Sequence, residues 1–230
     1  MAKKKFIEQL FNDIAPTYDK LNHILSLNID KSWRRKAVQT ICSRQPKDVL
    51  DIASGTGDFA IAIAQAGVPH VMGIDISEGM LQVGRQKVQA LGLPITMQVD
   101  DSEALSFPDD SFDAVSVAFG VRNFEHLQQG LNEMHRVIRP GGMVCVLELS
   151  VPSNALLLAL YKLYFLHILP WIGGMISGNS GAYKYLPKSV LNFPKPAAFC
   201  NMLRQAGFSD VKAKSFTFGL CRMFTGTKYN

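Results

Sequence analysis

The sequence predicts an α/β fold, a mostly parallel sheet with helices on both faces. Three observations predict it. Apolar runs at 49–53, 71–75, 95–99, 112–119 and 143–149 alternate with helix-period patterns near 58–66, 78–91 and 125–138. That is the rhythm of parallel strands whose crossovers cover both faces of the sheet. The first run, Val49-Leu-Asp-Ile-Ala53, enters a loop with Gly55 and Gly57 one residue apart, a turn whose backbone a ligand can approach without a Cβ in the way. Finally, a helix over 195–206 ends at Gly207, and two β-rich runs, 208–214 and 216–227, close the chain. So short a connection predicts antiparallel neighbours.

Taken in order, residues 6–45 read as helical. Phe6, Ile7, Leu10, Phe11 and Ile14 recur at helical spacing, Pro16 breaks the pattern, and Trp33 to Ile41 begins a second helix. Between them, Tyr18-Asp19-Lys20-Leu21-Asn22, Leu25-Ser26 and Asp30-Lys31-Ser32-Trp33 mix aromatic and polar residues. Two readings stand: a lid over a ligand, or an amphipathic helix whose Tyr18 and Trp33 belong to the core. Arg139-Pro-Gly-Gly142 stops the helix at 125–138 and turns the chain into the fifth strand.

The stretch Ala155–Ile176 is the outlier. It is apolar over about the 20 residues that a membrane span needs, but Lys162, His167, Pro170 and Gly173-Gly174 interrupt it. It reads as a helix with a broad apolar face, forming a greasy pocket or touching a membrane surface; a buried core helix is the competing reading. The organisation expected is one domain with a helical lid (1–45), a ligand-binding core (46–150), an apolar helical insertion capping the substrate (151–194), and a C-terminal helix with antiparallel strands (195–230).

Gly55, Gly57 and Ala60 fit the dinucleotide pattern G-x-G-x-x-[GA]. The acids redirect that reading. Asp51 sits on the strand before the glycines, where a pyrophosphate would be repelled and a cation welcome. Asp75 ends the second run, where a carboxylate accepts hydrogen bonds from a ribose diol. Asp100-Asp101-Ser102-Glu103 follows the third run. Acids after three successive strands suit S-adenosylmethionine, whose methionine end carries an ammonium and a sulfonium and no phosphate. An ordinary α/β domain with N-capping acids is the plainer alternative.

Composition narrows the field. The chain has 230 residues, 47% hydrophobic and 19% charged, with a net charge of +5. The excess of cations admits an anionic membrane surface, an acidic ligand or nucleic acid. No Lys/Arg stripe interleaved with aromatics is present, so no nucleic-acid partner is expected. Cys42, Cys145, Cys200 and Cys221 are far apart and read as reduced thiols of a cytoplasmic protein. The five histidines form no ligand-spaced set, so no metal is expected. No apolar stretch follows Lys3-Lys4-Lys5, which argues against a signal peptide. The oligomeric state is left open, a homodimer being one option.

Four segments resemble one known family. Tyr18-Asp19-x-Leu21-Asn22-x-x-Leu25-Ser26, with Asp30 and Trp33 downstream, resembles a signature of the ubiquinone/menaquinone biosynthesis C-methyltransferases. The fifteen residues from Arg136 to Ser150 resemble their second signature. Phe119-Gly-Val-Arg-Asn123 and Tyr183-x-Tyr-Leu-Pro-x-Ser189 resemble two further motifs, and the likeness runs from about Phe11 to Lys228. It implies a class I S-adenosylmethionine-dependent methyltransferase: a Rossmann-like sheet of seven strands, the last inserted antiparallel. It also implies methyl transfer from S-adenosylmethionine to a ring carbon of a polyprenylated quinol. The substrate most in keeping with it is 2-demethylmenaquinol, with a dual menaquinone/ubiquinone enzyme as the alternative.

By the same resemblance, Thr56, Asp75, Asp101 and Ser102 contact the cofactor, together with Asp51, Gly55 and Gly57 from the loop reading. Some relatives carry Ser where this chain has Ala118, so no hydroxyl contact is assigned there. Carbon is a poor nucleophile, so the quinol must lose a phenolic proton to push electron density onto the reacting carbon. Arg122 is the candidate for stabilising the phenolate, because guanidinium stays charged and is no practical base; a salt bridge to Glu148 is its competing role. Asn123 is assigned to orienting a water or the quinol oxygen, and Tyr18 to bounding the pocket. The base is left among His126, Asp19 and a held water. Competing functions are another methyltransferase specificity, a misread NAD-dependent dehydrogenase, and a cofactor-binding subunit without turnover. The expected location is cytoplasmic, with peripheral contact at the inner membrane face.

Overall fold

A computed structural model describes residues 2–19, 26, 28–152, 154, 158, 159, 161, 163 and 180–229, with the side chains of residues 2 and 180–184 excluded. Asn22, Leu25, the Tyr183 side chain and most of Ala155–Ile176 therefore lie outside the described residues.

The elements in chain order are α1 (Ala2–Ile14), a 3-10 turn (Ala15–Thr17), α2 (Ile29–Cys42), β1 (Asp48–Ile52), α3 (Asp58–Gln65), β2 (His70–Asp75), α4 (Glu78–Leu91) and β3 (Ile95–Val99). Then follow β4 (Phe112–Ala118), a 3-10 turn (Val121–Asn123), α5 (Leu127–Val137), β5 (Ile138–Leu149), α6 (Ser180–Asn192), α7 (Pro196–Gln205), β6 (Ser209–Phe216) and β7 (Cys221–Thr227). The seven strands form one sheet in the order β3-β2-β1-β4-β5-β7-β6. The pairs β1/β2, β2/β3, β1/β4 and β4/β5 are parallel, and β7 runs antiparallel between β5 and β6.

Both faces of the sheet are covered, as continuous apolar strands require. Alternation along β1, β4 and β5 sends Leu50, Ile52, Val115, Val117, Val144 and Val146 to one face, under Leu131 and Met134 of α5 and Phe199 and Leu203 of α7. Val49, Ala114, Cys145 and Leu147 point to the other, under Trp33, Ala37 and Ile41 of α2 and Phe59 and Ile63 of α3. Each Val, Leu, Ile, Phe or Met among them contributes about 1.5–3 kcal/mol on full burial.

Two boundaries differ from the sequence expectation. Pro140-Gly-Gly reads as a stop, yet β5 begins at Ile138 and passes through it, because Ile138 pairs with Phe112 across an irregularity in the β4/β5 register. A side chain at Gly142 would sit 2.6 Å from Asp113 O, so the strand can pass here only with glycine. At the C-terminus β6 runs on to Phe216 and β7 starts only at Cys221, since Thr217–Gly219 form a 3-10 turn rather than strand.

The sheet order reverses between β1 and β4. A crevice opens there, outside the carboxyl ends of the strands, where ligands bind in open α/β sheets.

Candidate active site

Two cavities meet at this crevice. The first is lined by Ile52, Ala53 and Gly55 after β1, Ile74, Asp75 and Ile76 after β2, and Asp100 to Glu103 after β3. Ala118 to Gly120, Asn123, Phe124 and Glu125 complete its far wall, and Lys4, Ile7, Phe11 and Tyr18 close it from the N-terminal segment. The second is lined by Asp51, Ser54, Thr56, Asp58, Asp30, Trp33, Arg34, Arg122, Leu149 and Leu186. Tyr18, Ala53, Gly55, Ala118 and Phe119 line both.

The shared wall is strained. Ala53 and Phe119 take φ of 52° and 61°, left-handed values that cost a non-glycine residue on the order of 1–3 kcal/mol and cluster at functional sites. Gly120 lets the loop after β4 press against β1: a Cβ there would stand 2.5 Å from Ala53 Cβ. The Phe119 ring leans on Trp33 at 6.3 Å, and Trp33 Nε1 donates to Thr217 Oγ1 at 2.9 Å. Trp33 is thus a core residue that also faces the second cavity, and Tyr18 stands in the wall.

Asp75 is held by backbone. Gly55 N donates to its Oδ2 and Ser77 N to its Oδ1, both at 2.9 Å. Burial nevertheless raises its pKa, against these bonds. A carboxylate has more acceptor sites than two amides fill, and Asp75 also lines the first cavity. Asp101 Oδ1 accepts from Glu103 N at 3.0 Å, and its other oxygen pairs with Lys4 of α1. α1 is tied down again by Asn12, whose Oδ1 accepts from Ser77 Oγ at 2.7 Å and Gly79 N at 2.9 Å.

Asp51 lies on the α2/α3 face, 1% exposed, accepting from Ser116 Oγ at 2.6 Å and Ser54 Oγ at 2.8 Å. Burial pushes its pKa up to about 7; the two hydroxyl bonds hold it down and the Asp75 charge adds to the rise. The unfolded group titrates near its ordinary 3.8, so between that value and 7 the folded state keeps a proton the unfolded state has lost. Stability from Asp51 therefore falls as pH rises through this window. Asp51→Asn keeps an acceptor oxygen and cannot ionise. The melting-temperature difference between variant and wild type should move in the variant's favour from pH 4 to pH 7 and level off above. A difference that does not change with pH would show that Asp51 keeps one protonation state through folding.

Of the residues the sequence singled out, Gly55, Asp75, Asp101, Ser102 and Asn123 line the first cavity, and Asp51, Gly55, Thr56 and Arg122 the second. Tyr18 lines both. Gly57 lines neither; with φ of 82° it turns the loop into α3, whose N-cap it is. Thr56 is 2% exposed and donates its hydroxyl to Asp19. Arg122 forms the buried ion pair that was its competing role: Nη1 lies 2.7 Å from Glu148 Oε1, with the side chains 6% and 0% exposed. Its Nε is buried with no hydrogen-bond partner among the described residues. His126 donates its backbone N–H to Glu103 and lines neither cavity. No group of three or more potential metal ligands occurs among the described residues.

The family model described as the ubiE/COQ5 methyltransferase family matches residues 1–228. The chain belongs to the ubiE/COQ5 methyltransferase family. It is 44% identical over 229 residues to a demethylmenaquinone methyltransferase of Bacteroides fragilis, covering 98% of this chain and 94% of that one. It is 47% identical to a ubiquinone/menaquinone biosynthesis C-methyltransferase of Geobacter sulfurreducens, covering 98% and 90%. A demethylmenaquinone methyltransferase of Thermus thermophilus is 44% identical over 95% of this chain and all of its own. Among solved structures, an S-adenosylmethionine-dependent methyltransferase of Thermotoga maritima superposes with a TM-score of 0.68 at 18% identity, covering 96% and 99% of the two chains. That likeness carries the fold.

As a member of this ubiE/COQ5 family the chain is an S-adenosylmethionine-dependent methyltransferase, and its first cavity suits that cofactor. Five acids line it, Asp75, Asp100, Asp101, Glu103 and Glu125, against one lysine that is already paired with Asp101. A pyrophosphate would be repelled there, which disfavours a dinucleotide. Gly55, at φ of 56°, leaves open space where a Cβ would stand.

Proposed function

We propose that this chain transfers the methyl group of S-adenosylmethionine to a ring carbon of 2-demethylmenaquinol, giving menaquinol. The observation that carries the reading is 44% identity over nearly the whole chain to demethylmenaquinone methyltransferases, joined to two cavities that share one wall, with room for two ligands side by side. A chain 47% identical to it is named for both quinones, so a dual acceptor range is the second reading.

S-adenosylmethionine supplies an electrophilic methyl on a sulfonium, and transfer needs donor and acceptor held in line with water kept out. On this reading Asp75, Asp101 and Ser102 hold the nucleoside end in the first cavity, and Asp51, Gly55 and Thr56 lie towards the cationic methionine end. The acceptor ring occupies the second cavity beside Tyr18, Arg122 and Leu186. Arg122 is offset by Glu148, so it presents a dipole rather than a bare charge. Arg122 lines the second cavity, and we assign its guanidinium to the quinol oxygen. Asn123 accepts from Tyr185 Oη at 3.1 Å, which fixes its amide for a water or the same oxygen.

Asp75→Ala should weaken S-adenosylmethionine binding by about 1.5–3 kcal/mol, the scale for hydrogen bonds to a charged acceptor. Calorimetry on the folded variant checks this, with Asp75→Asn as the intermediate; unchanged affinity would remove Asp75 from the site. We also infer peripheral contact with the inner membrane face. An acceptor with a polyprenyl tail resides in lipid, the chain carries net +5, and no described helix is long and apolar enough to cross a membrane. The protein should leave membranes with salt or carbonate, and recovery only with detergent would contradict peripheral attachment.

The function itself is tested by incubating purified protein with methyl-labelled S-adenosylmethionine and demethylmenaquinol. One label per quinone is expected. Intact cofactor binding with no label in the quinone would leave a binding protein or another specificity.

A further inference from the structure

We propose that Lys87 is a positioning residue that clamps the N-terminal segment to the glycine loop and so sets where Tyr18 stands between the two cavities. Lys87 belongs to α4 and lines neither cavity. Its ammonium lies 2.8 Å from Asp19 Oδ2 and also pairs with Asp58 Oδ1. Asp19 directly follows Tyr18, and Asp58 opens α3 directly after Gly57. The other oxygen of Asp19 accepts the Thr56 hydroxyl, and Lys87 Nζ stands 3.5 Å from the same hydroxyl. One cation therefore joins the segment that closes the site to the loop that forms its floor.

Arg34 of α2 extends the network. It lies 3.2 Å from Asp58 Oδ2 and pairs with Asp30, which accepts from Ser26 Oγ. Among the described residues the network holds three carboxylates and two cations, and removing Lys87 takes away the cation that Asp19 and Asp58 share. Asp19 and Asp58 would then lose the one ammonium that bridges them. Each of the three clamped side chains is 28–29% exposed, so water weakens the clamp without abolishing it. The clamp joins three parts of the chain, α4, the start of α3 and the segment after the first 3-10 turn, and its loss would be felt first by Tyr18.

The test compares the full-length protein with Lys87→Met and Lys87→Arg. Amide hydrogen exchange over residues 13–19 should accelerate by about tenfold in Lys87→Met, while exchange in β1, β4 and β5 stays as in the wild type. Turnover should fall by a similar factor, roughly tenfold, and Lys87→Arg should restore both, since a guanidinium can bridge two carboxylates. Unchanged exchange over 13–19 would overturn the proposal, as would acceleration spread equally through the sheet or failure of Lys87→Arg to rescue. The turnover arm rests on the activity proposed above and the exchange arm does not. A wild type that fails to methylate demethylmenaquinol while the exchange results hold would sink that activity and leave the clamp standing.

Discussion

Arg122→Ala should cost more than any other single substitution in this site, in stability and in turnover together. Glu148 is 0% exposed and takes its charged partner from Arg122 Nη1 at 2.7 Å. The backbone N–H groups of Arg122 and Leu149 add donors at 3.2 and 2.8 Å. Removing one member of a buried pair leaves the other charge uncompensated, which costs about 3–5 kcal/mol. The guanidinium also donates to Phe119 O, so its loss frees the strained residue of the shared wall. Arg122→Lys keeps the charge without the guanidinium whose Nη1 reaches both Glu148 and Phe119 O, and should fall between.

Stability and chemistry separate in the double variant Arg122→Met/Glu148→Gln. Replacing a buried pair by near-isosteric neutral residues is often close to neutral for stability, so the melting temperature should return most of the way. Turnover should stay depressed by about 10²-fold or more, the scale for one lost electrostatic donor to a developing anion. Melting temperature and turnover are measured on the same samples. Recovery of both would reduce Arg122 to a structural residue.

The sheet was legible because its strands are apolar runs that must be buried on both faces, and the place of Asp75, Asp101 and Ser102 in the wall of the first cavity was legible because they stand where those runs end. The early start of β5 was not, because Pro140-Gly141-Gly142 carries the local signature of a stop while the pairing of Ile138 with Phe112 is a tertiary fact. Likewise α1 was readable as an amphipathic helix, but its docking over the first cavity depends on Asn12 meeting Ser77 and Gly79, 65 and 67 residues away. Lys4, Ile7 and Phe11 line the cavity for that reason, and no periodicity reveals it. Phe119 stood in a motif without a role; its positive φ appears only in the fold. Lys87 carried no signal at all, being one lysine on the polar face of a helix.

In the proposed reaction the reacting carbon is made nucleophilic by loss of a phenolic proton beside Arg122. A quinone ring is electron-poor and has no such proton, whereas a quinol hydroxyl resembles that of tyrosine, with a pKa near 10. A desolvated donor at its oxygen would lower that value, each unit being worth about 1.4 kcal/mol. The most direct measurement is label transfer from S-adenosylmethionine to one stock of demethylmenaquinone under anaerobic conditions, with and without a reductant. Methylation only of the reduced acceptor is the predicted result. Equal methylation of quinone and quinol would contradict the phenolate mechanism and remove Arg122 from its assigned role.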